Sequence, residues 1–303
     1  MNEILMQREE RQLALLNTPL GQPGSGRLRY GAAMYFHQQG RLDARALEAF
    51  RMAAASDTDD VRSVMGAHGI DATALAALLA APDPAPGAQL LHLLDEIDRY
   101  LQPFTGPGIA EARTGIATAR AQSVNMAQDP PANCVVGTHL PPALAALAPD
   151  CPALAADISA TTPLLLWETY ADYAPGAVGE DFEKGHAFTS LIGANAPLYA
   201  EDFDLGLFLI APDTLYRDHY HPAPELYAPL TGPHLWRFGV DAPLRVKPAH
   251  EPVWNQPNAP HMTKSGPVPF LCIFCWAQNA NAPAHILPAN DWDRLATLDF
   301  LEE

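Results

Sequence analysis

Basic residues are scarce in this chain: its 303 residues carry 18 Lys and Arg against 35 Asp and Glu, a formal net charge of −17. An exterior of that sign repels phosphate backbones and anionic lipid surfaces, so neither nucleic acid nor a membrane is an expected partner. Long apolar runs are also missing. Proline or charge cuts every Ala/Leu-rich stretch well short of the roughly 20 residues a membrane helix needs. Residues 1–11 lack the basic-then-apolar order and the small-residue cleavage site of a secretory leader, so a cytoplasmic protein is expected. Cysteine is sparse. Cys134, Cys151, Cys272 and Cys275 are too few and too scattered for a disulfide framework in a chain of this size. Cys272 and Cys275 form a C-x-x-C, but residues 269–277 read as a strand, where a separation of three puts the side chains on opposite faces. Two buried small hydrophobes are expected there, rather than a redox or zinc pair.

What is abundant is apolar surface, 48% of the residues, enough for a packed core. The first half reads as helical. Residues 42–52 open on Asp43 and repeat apolar side chains at Ala46, Leu47 and Phe50; Leu90, Leu91, Leu94, Ile97 and Leu101 repeat the spacing and stop at Pro103. A third helix is expected over about 108–126. From about residue 161 short apolar runs alternate with Pro, Gly, Asp and Asn, which predicts strands at 162–170, 203–210, 225–230, 234–238 and 270–276. The expected fold is therefore α+β: a helical region over 1–160, packed on or preceding a β-barrel or jelly roll over 161–303 with a ligand cavity in its mouth.

Inside the β half, His219-x-His221 is followed after three residues by Glu225 and after six more by Gly232. Period two sets His219 and His221 on one strand face, and a bend at Pro222 and Pro224 brings Glu225 and Tyr227 toward the same cavity. His261, beside turn residues, supplies a further donor from another strand. Imidazole and carboxylate suit Zn2+, Fe2+, Mn2+ or Ni2+ better than soft, thiolate-seeking metals.

This spacing resembles the signature of the cupin superfamily, and residues 216–227 look more narrowly like the site of the cupin-type dimethylsulfoniopropionate lyases. The resemblance covers roughly residues 160 to 290. It implies a cupin β-barrel and one divalent metal per chain, Zn2+ first, held by His221, Glu225, Tyr227 and His261. It also implies a substrate pocket containing Tyr216 and Trp276, and a small zwitterionic sulfonium substrate split by β-elimination into dimethyl sulfide and acrylate. In that chemistry Tyr227, drawn toward phenolate by the cation, takes the α-proton, and His219 is a hydrogen-bond partner of Tyr227 or a further ligand. Trp254 and Trp236 are additional candidates to face the sulfonium. A mononuclear cupin dioxygenase or isomerase, and a metal- or sugar-binding cupin without turnover, stay open as alternatives. A monomer and a homodimer are both compatible with the sequence.

Overall fold

In a computed structural model of the chain, residues 11–79, 85–127, 129–170 and 173–300 are described. Two compact units divide the chain, Met1–Asp83 and Pro84–Glu303. The first is helical, with Ser25–Gln38, Ala44–Ala53, Val61–Ala67 and Thr73–Leu79 closing around Ala33, Phe36, Ala49, Phe50 and Met65. Asp43 caps the expected helix as the sequence suggests: its carboxylate accepts from the Ala46 N–H at 2.7 Å, satisfying one of the free donors of the first turn.

In the second unit four long helices, Pro86–Leu101, Ile109–Ala119, Cys134–Leu147 and Pro152–Thr161, precede the strands. These strands are β1 (His186–Gly193), β2 (Leu198–Tyr199), β3 (Asp204–Ile210), β4 (Leu215–Tyr220), β5 (Glu225–Pro229), β6 (His234–Arg237), β7 (Arg245–Lys247), β8 (Val253–Asn255), β9 (His261–Ser265), β10 (Phe270–Trp276) and β11 (His285–Ile286). They form a six-stranded sheet, β2-β1-β3-β10-β5-β8, and a five-stranded sheet, β11-β4-β9-β6-β7. The sheets share an aromatic core but do not join into one closed hydrogen-bonded barrel. A double-sheet arrangement of this kind is the jelly-roll solution to covering strand faces.

The six-stranded sheet is buried on both sides, and alternation decides which side each residue serves. Leu205, Leu207 and Leu209 of β3, Leu226 and Ala228 of β5, and Leu271, Ile273 and Cys275 of β10 pack on the helices. Phe208, Tyr227, Cys272 and Phe274 point the other way, toward the second sheet. Cys272 and Cys275 thus lie on opposite faces, free and buried, as the strand reading requires. The expected strand over 162–170 is corrected to a 3-10 turn, Thr162–Leu164, followed by a single bridge between Glu168 and Phe188. Leu165 and Trp167 are buried while Leu166 is exposed, so the segment carries a strand's period while pairing at one point only.

Candidate metal centre and the adjoining cavity

Three segments bring the histidines together. His219 lies on β4 and pairs across the ladder with His261, the first residue of β9. His221 follows β4 directly, and Asn258 donates its backbone N–H to the His221 carbonyl at 2.8 Å, tying the two turns. Asn258 holds a left-handed φ of 59°, a conformation asparagine tolerates better than most residues. Glu225 opens β5 on the inward face. All four side chains are buried, at 1–2% exposure.

Each histidine ring is fixed by the same device. The Nδ1 atoms of His219, His221 and His261 lie 2.8, 2.8 and 2.9 Å from the carbonyl oxygens of Arg217, Ala223 and Ala259. A carbonyl only accepts, so Nδ1 must donate, and each neutral ring keeps its lone pair at Nε2. The three rings present ligand atoms within 4.8 Å of one another. Glu225 Oε2 lies 3.2 Å from His221 Nε2 and 3.4 Å from His261 Nε2. The second contact is not a directed hydrogen bond, which leaves His261 Nε2 a buried polar atom without a partner. Protonating all three rings is not an alternative: burial first, then the charges of His261 and His221, depress His219 well below its ordinary value. Burial opposes the charged form of Glu225 too, yet positive charge at His221 and His261 holds it well below the usual carboxylate range, and with neutral rings a cation between their Nε2 atoms supplies that charge. Converging imidazole lone pairs beside an ionised carboxylate suit a divalent cation. Among the described residues one other group could hold a metal: exposed His92, buried Glu96 and half-buried Asp157, on helices Pro86–Leu101 and Pro152–Thr161.

The residues around this cluster sort by strand phase. One rung of the six-stranded sheet pairs Asp204 with Trp276, Trp276 with Glu225, and Glu225 with Asn255. Trp276 stacks on His221 at 4.3 Å, and its indole N–H donates to Glu225 Oε1 at 2.7 Å. Asn255 Nδ2 donates to Glu225 Oε2 at 3.0 Å. The carboxylate is therefore aimed by both neighbours on its rung. Tyr216 stacks on His219 at 3.9 Å and shares a 2.7 Å hydrogen bond with Tyr173. Tyr227, two residues beyond Glu225 on the same face, lies among Phe208, Trp236 and Phe270. Burial and then the Glu225 charge push its phenol well above the ordinary value.

Two further candidates are not brought to the histidines. Trp254 pairs with Leu226 and shares its helix-facing side, where its ring covers Gly108; the inward position belongs to Asn255, one residue on. A one-residue change of phase reverses the face. Trp236 is fully buried and donates to His234 Nδ1 at 2.6 Å, a core contact.

Beside the cluster lies a cavity of about 740 Å³, lined by Glu168, Tyr170, Tyr173, Phe188, Asp204 and Trp276 among others. It meets the centre through Trp276, which touches His221 and Glu225, and through Tyr173, which holds Tyr216. His186, pushed down to about 4 by burial, accepts the Tyr170 N–H at 2.9 Å and so anchors this wall as a neutral ring.

Over residues 110–272 the sequence matches the dimethylsulfoniopropionate (DMSP) lyase family. Curated protein sequences provide no significant match. Among solved structures, one titled as DMSP lyases RdDddP and RnDddQII aligns with a TM-score of 0.50 at 20% identity, covering 67% of this chain and 100% of that one. DMSP lyase DddQ from Ruegeria pomeroyi DSS-3 aligns at 0.48 and 19%, covering 68% and 97%. A cupin-like protein from Thermotoga maritima aligns at 0.32 and 16%, covering 36% and 81%.

Proposed function

The chain belongs to the dimethylsulfoniopropionate lyase family, and we propose that it cleaves this substrate by β-elimination at the centre formed by His219, His221, His261 and Glu225, with Tyr227 as the base. The observation that carries the reading is the locking of three Nδ1–H groups onto backbone carbonyls, which leaves three buried Nε2 lone pairs beside one carboxylate. A divalent ion bound there supplies Lewis acidity for the substrate carboxylate, which acidifies the neighbouring α-proton. Imidazole and carboxylate donors favour Zn2+, with Fe2+, Mn2+ and Ni2+ as substitutes.

The chain's own groups do the rest. Asn255 and Trp276 hold Glu225 in one orientation. Tyr227 takes the α-proton, the C–H electrons become the second bond of acrylate, and the Cβ–S bond breaks so that dimethyl sulfide leaves with its electron pair. The sequence-based ligand set shares His221, Glu225 and His261 with this proposal; the geometry favours His219 as the additional donor and leaves Tyr227 to accept the proton. Phenolate formation at Tyr227 has to overcome its burial, and the Glu225 charge is the second obstacle, one that pairing with a cation removes.

Four unpaired cysteines agree with a reducing, cytoplasmic setting, and among the described residues no helix is long and apolar enough to cross a membrane. The test is headspace analysis for dimethyl sulfide after adding the substrate to purified, metal-assayed protein. Stoichiometric dimethyl sulfide and acrylate are expected. Oxygen uptake without dimethyl sulfide would point to an oxygenase instead.

A further inference from the structure

We propose that Trp292, which opens the helix Trp292–Thr297, is a positioning residue for the histidine centre: it clamps a β-bulge at Arg217 and Asp218, and that bulge sets where His219 points. The proposal rests on the reading of His219 as a donor of the centre and not on the reaction carried out there. The register of β4 against β9 shows the bulge. Tyr216 faces Thr263 and His219 faces His261, so Arg217 and Asp218 together stand opposite Met262 alone. On a regular strand Tyr216 and His219, three residues apart, would point to opposite faces. The extra residue restores their phase, and the two rings stack at 3.9 Å inside the site.

Both bulge residues are held by Trp292. Its indole N–H donates to Asp218 Oδ2 at 2.9 Å, and the Arg217 guanidinium carbon lies 4.5 Å from the centroid of its ring, a cation–π contact. Asp218 is fully buried and also accepts from Arg237 through both carboxylate oxygens. Arg237 in turn donates to Asp291, the residue before Trp292, at 2.8 Å. The backbone of the bulge is tied to the same part of the chain, where the Leu287 N–H donates to the Asp218 carbonyl at 2.8 Å. The Arg217 carbonyl is the acceptor of the His219 Nδ1–H. A bulge lies partly outside the ladder and needs partners of its own, so the clamp holds two things at once: the phase of His219 and the oxygen that fixes its tautomer.

Trp292 lies beyond residues 110–272, the stretch that matches the family, and no spacing in the sequence links it to His219. The helix it opens is seated by other contacts. Leu295 packs with Leu215 and Met262, and Lys264 Nζ donates to the Ala296 and Leu298 carbonyls at 2.8 and 2.7 Å. Changing Trp292 alone therefore loosens the bulge while the helix stays docked, which separates positioning from general stability.

The test is imidazole NMR of the full chain labelled with 15N-histidine, first metal-stripped and then with Zn2+, together with chelator competition for Zn2+. Trp292→Phe keeps a ring beside Arg217 and deletes the N–H to Asp218. In the metal-stripped variant the His219 Nδ1 proton should exchange at least about tenfold faster than in the parent, with His221 and His261 unchanged, and Zn2+ affinity should fall about tenfold. Leu154→Ala, a core truncation in the helix Pro152–Thr161, controls for lost stability and should leave both readings at parent values. Parent exchange at His219 in Trp292→Phe overturns the proposal, and so does parent affinity for Zn2+ once Zn2+ has been seen to shift His219. Equal acceleration at all three histidines in both variants overturns it too, since Trp292 would then contribute stability alone. Zn2+ that leaves the parent's His219 Nε2 unshifted rejects the ligand set instead, and missing dimethyl sulfide rejects the lyase reading; neither alters the metal-free exchange by which the clamp is judged.

Discussion

Asp204→Asn should stabilise the protein, and increasingly so as pH rises. Asp204 ionises near 7 in the folded chain, against an ordinary value of 3.8. Below about pH 4 both states carry the proton and the residue contributes nothing. Between pH 4 and 7 the unfolded chain loses its proton while the folded one keeps it, so stability falls as pH rises, and the deficit is constant above 7. At about 1.4 kcal/mol per tenfold change the full deficit is about 4 kcal/mol, and partial solvent access reduces this to about 2–4 kcal/mol. Asn keeps the volume and the capacity to bond Ser190 while removing the charge. Urea unfolding followed by tryptophan fluorescence is the suitable assay, because Trp167, Trp236, Trp254, Trp276 and Trp292 are the only tryptophans and all lie in the second unit. The variant should match the parent near pH 4 and exceed it by the stated amount at pH 8. A difference that does not grow with pH would refute the idea that an uncompensated carboxylate lines the cavity beside Trp276.

Trp276→Phe keeps a ring on His221 but deletes the N–H to Glu225, so chelator competition should report metal affinity reduced about 10–100-fold, with the fold intact by circular dichroism. Tyr227→Phe should retain metal while turnover falls about 100-fold or more in the headspace assay; near-normal turnover would remove Tyr227 from the proton transfer. Gly206→Ala should cost more than about 2 kcal/mol in urea unfolding, since an added Cβ meets the Thr189 carbonyl oxygen and, at 2.8 Å, the Phe274 ring.

The convergence of His219, His221, Glu225 and His261 was legible because most of it is local: period two forecasts the shared face of His219 and His221, the bend at Pro222 and Pro224 brings Glu225 toward it, and His261 stands beside turn residues. Trp254 was misjudged for a definite physical reason. In a sheet buried on both sides hydrophobicity does not reveal which face a residue serves, and a three-residue strand offers no longer pattern to fix the phase. The same ambiguity hid Asn255, the residue that bonds Glu225. Tyr170, Tyr173 and Asp204 reach the site from separate segments and carry no spacing signal. Helices Cys134–Leu147 and Pro152–Thr161 were obscured by Pro141, Pro142 and Pro152, which read as breaks. Pro152 instead occupies the first turn, where proline costs little.

The proposed centre holds one divalent ion on three Nε2 atoms and a carboxylate. Its most direct test is a Zn2+ titration of chelator-stripped, 15N-histidine-labelled protein followed by imidazole NMR. One equivalent should shift Nε2 of His219, His221 and His261 together and leave each Nδ1 protonated on its carbonyl. Saturation of His92 at the helix surface while those three resonances stay in place would contradict it.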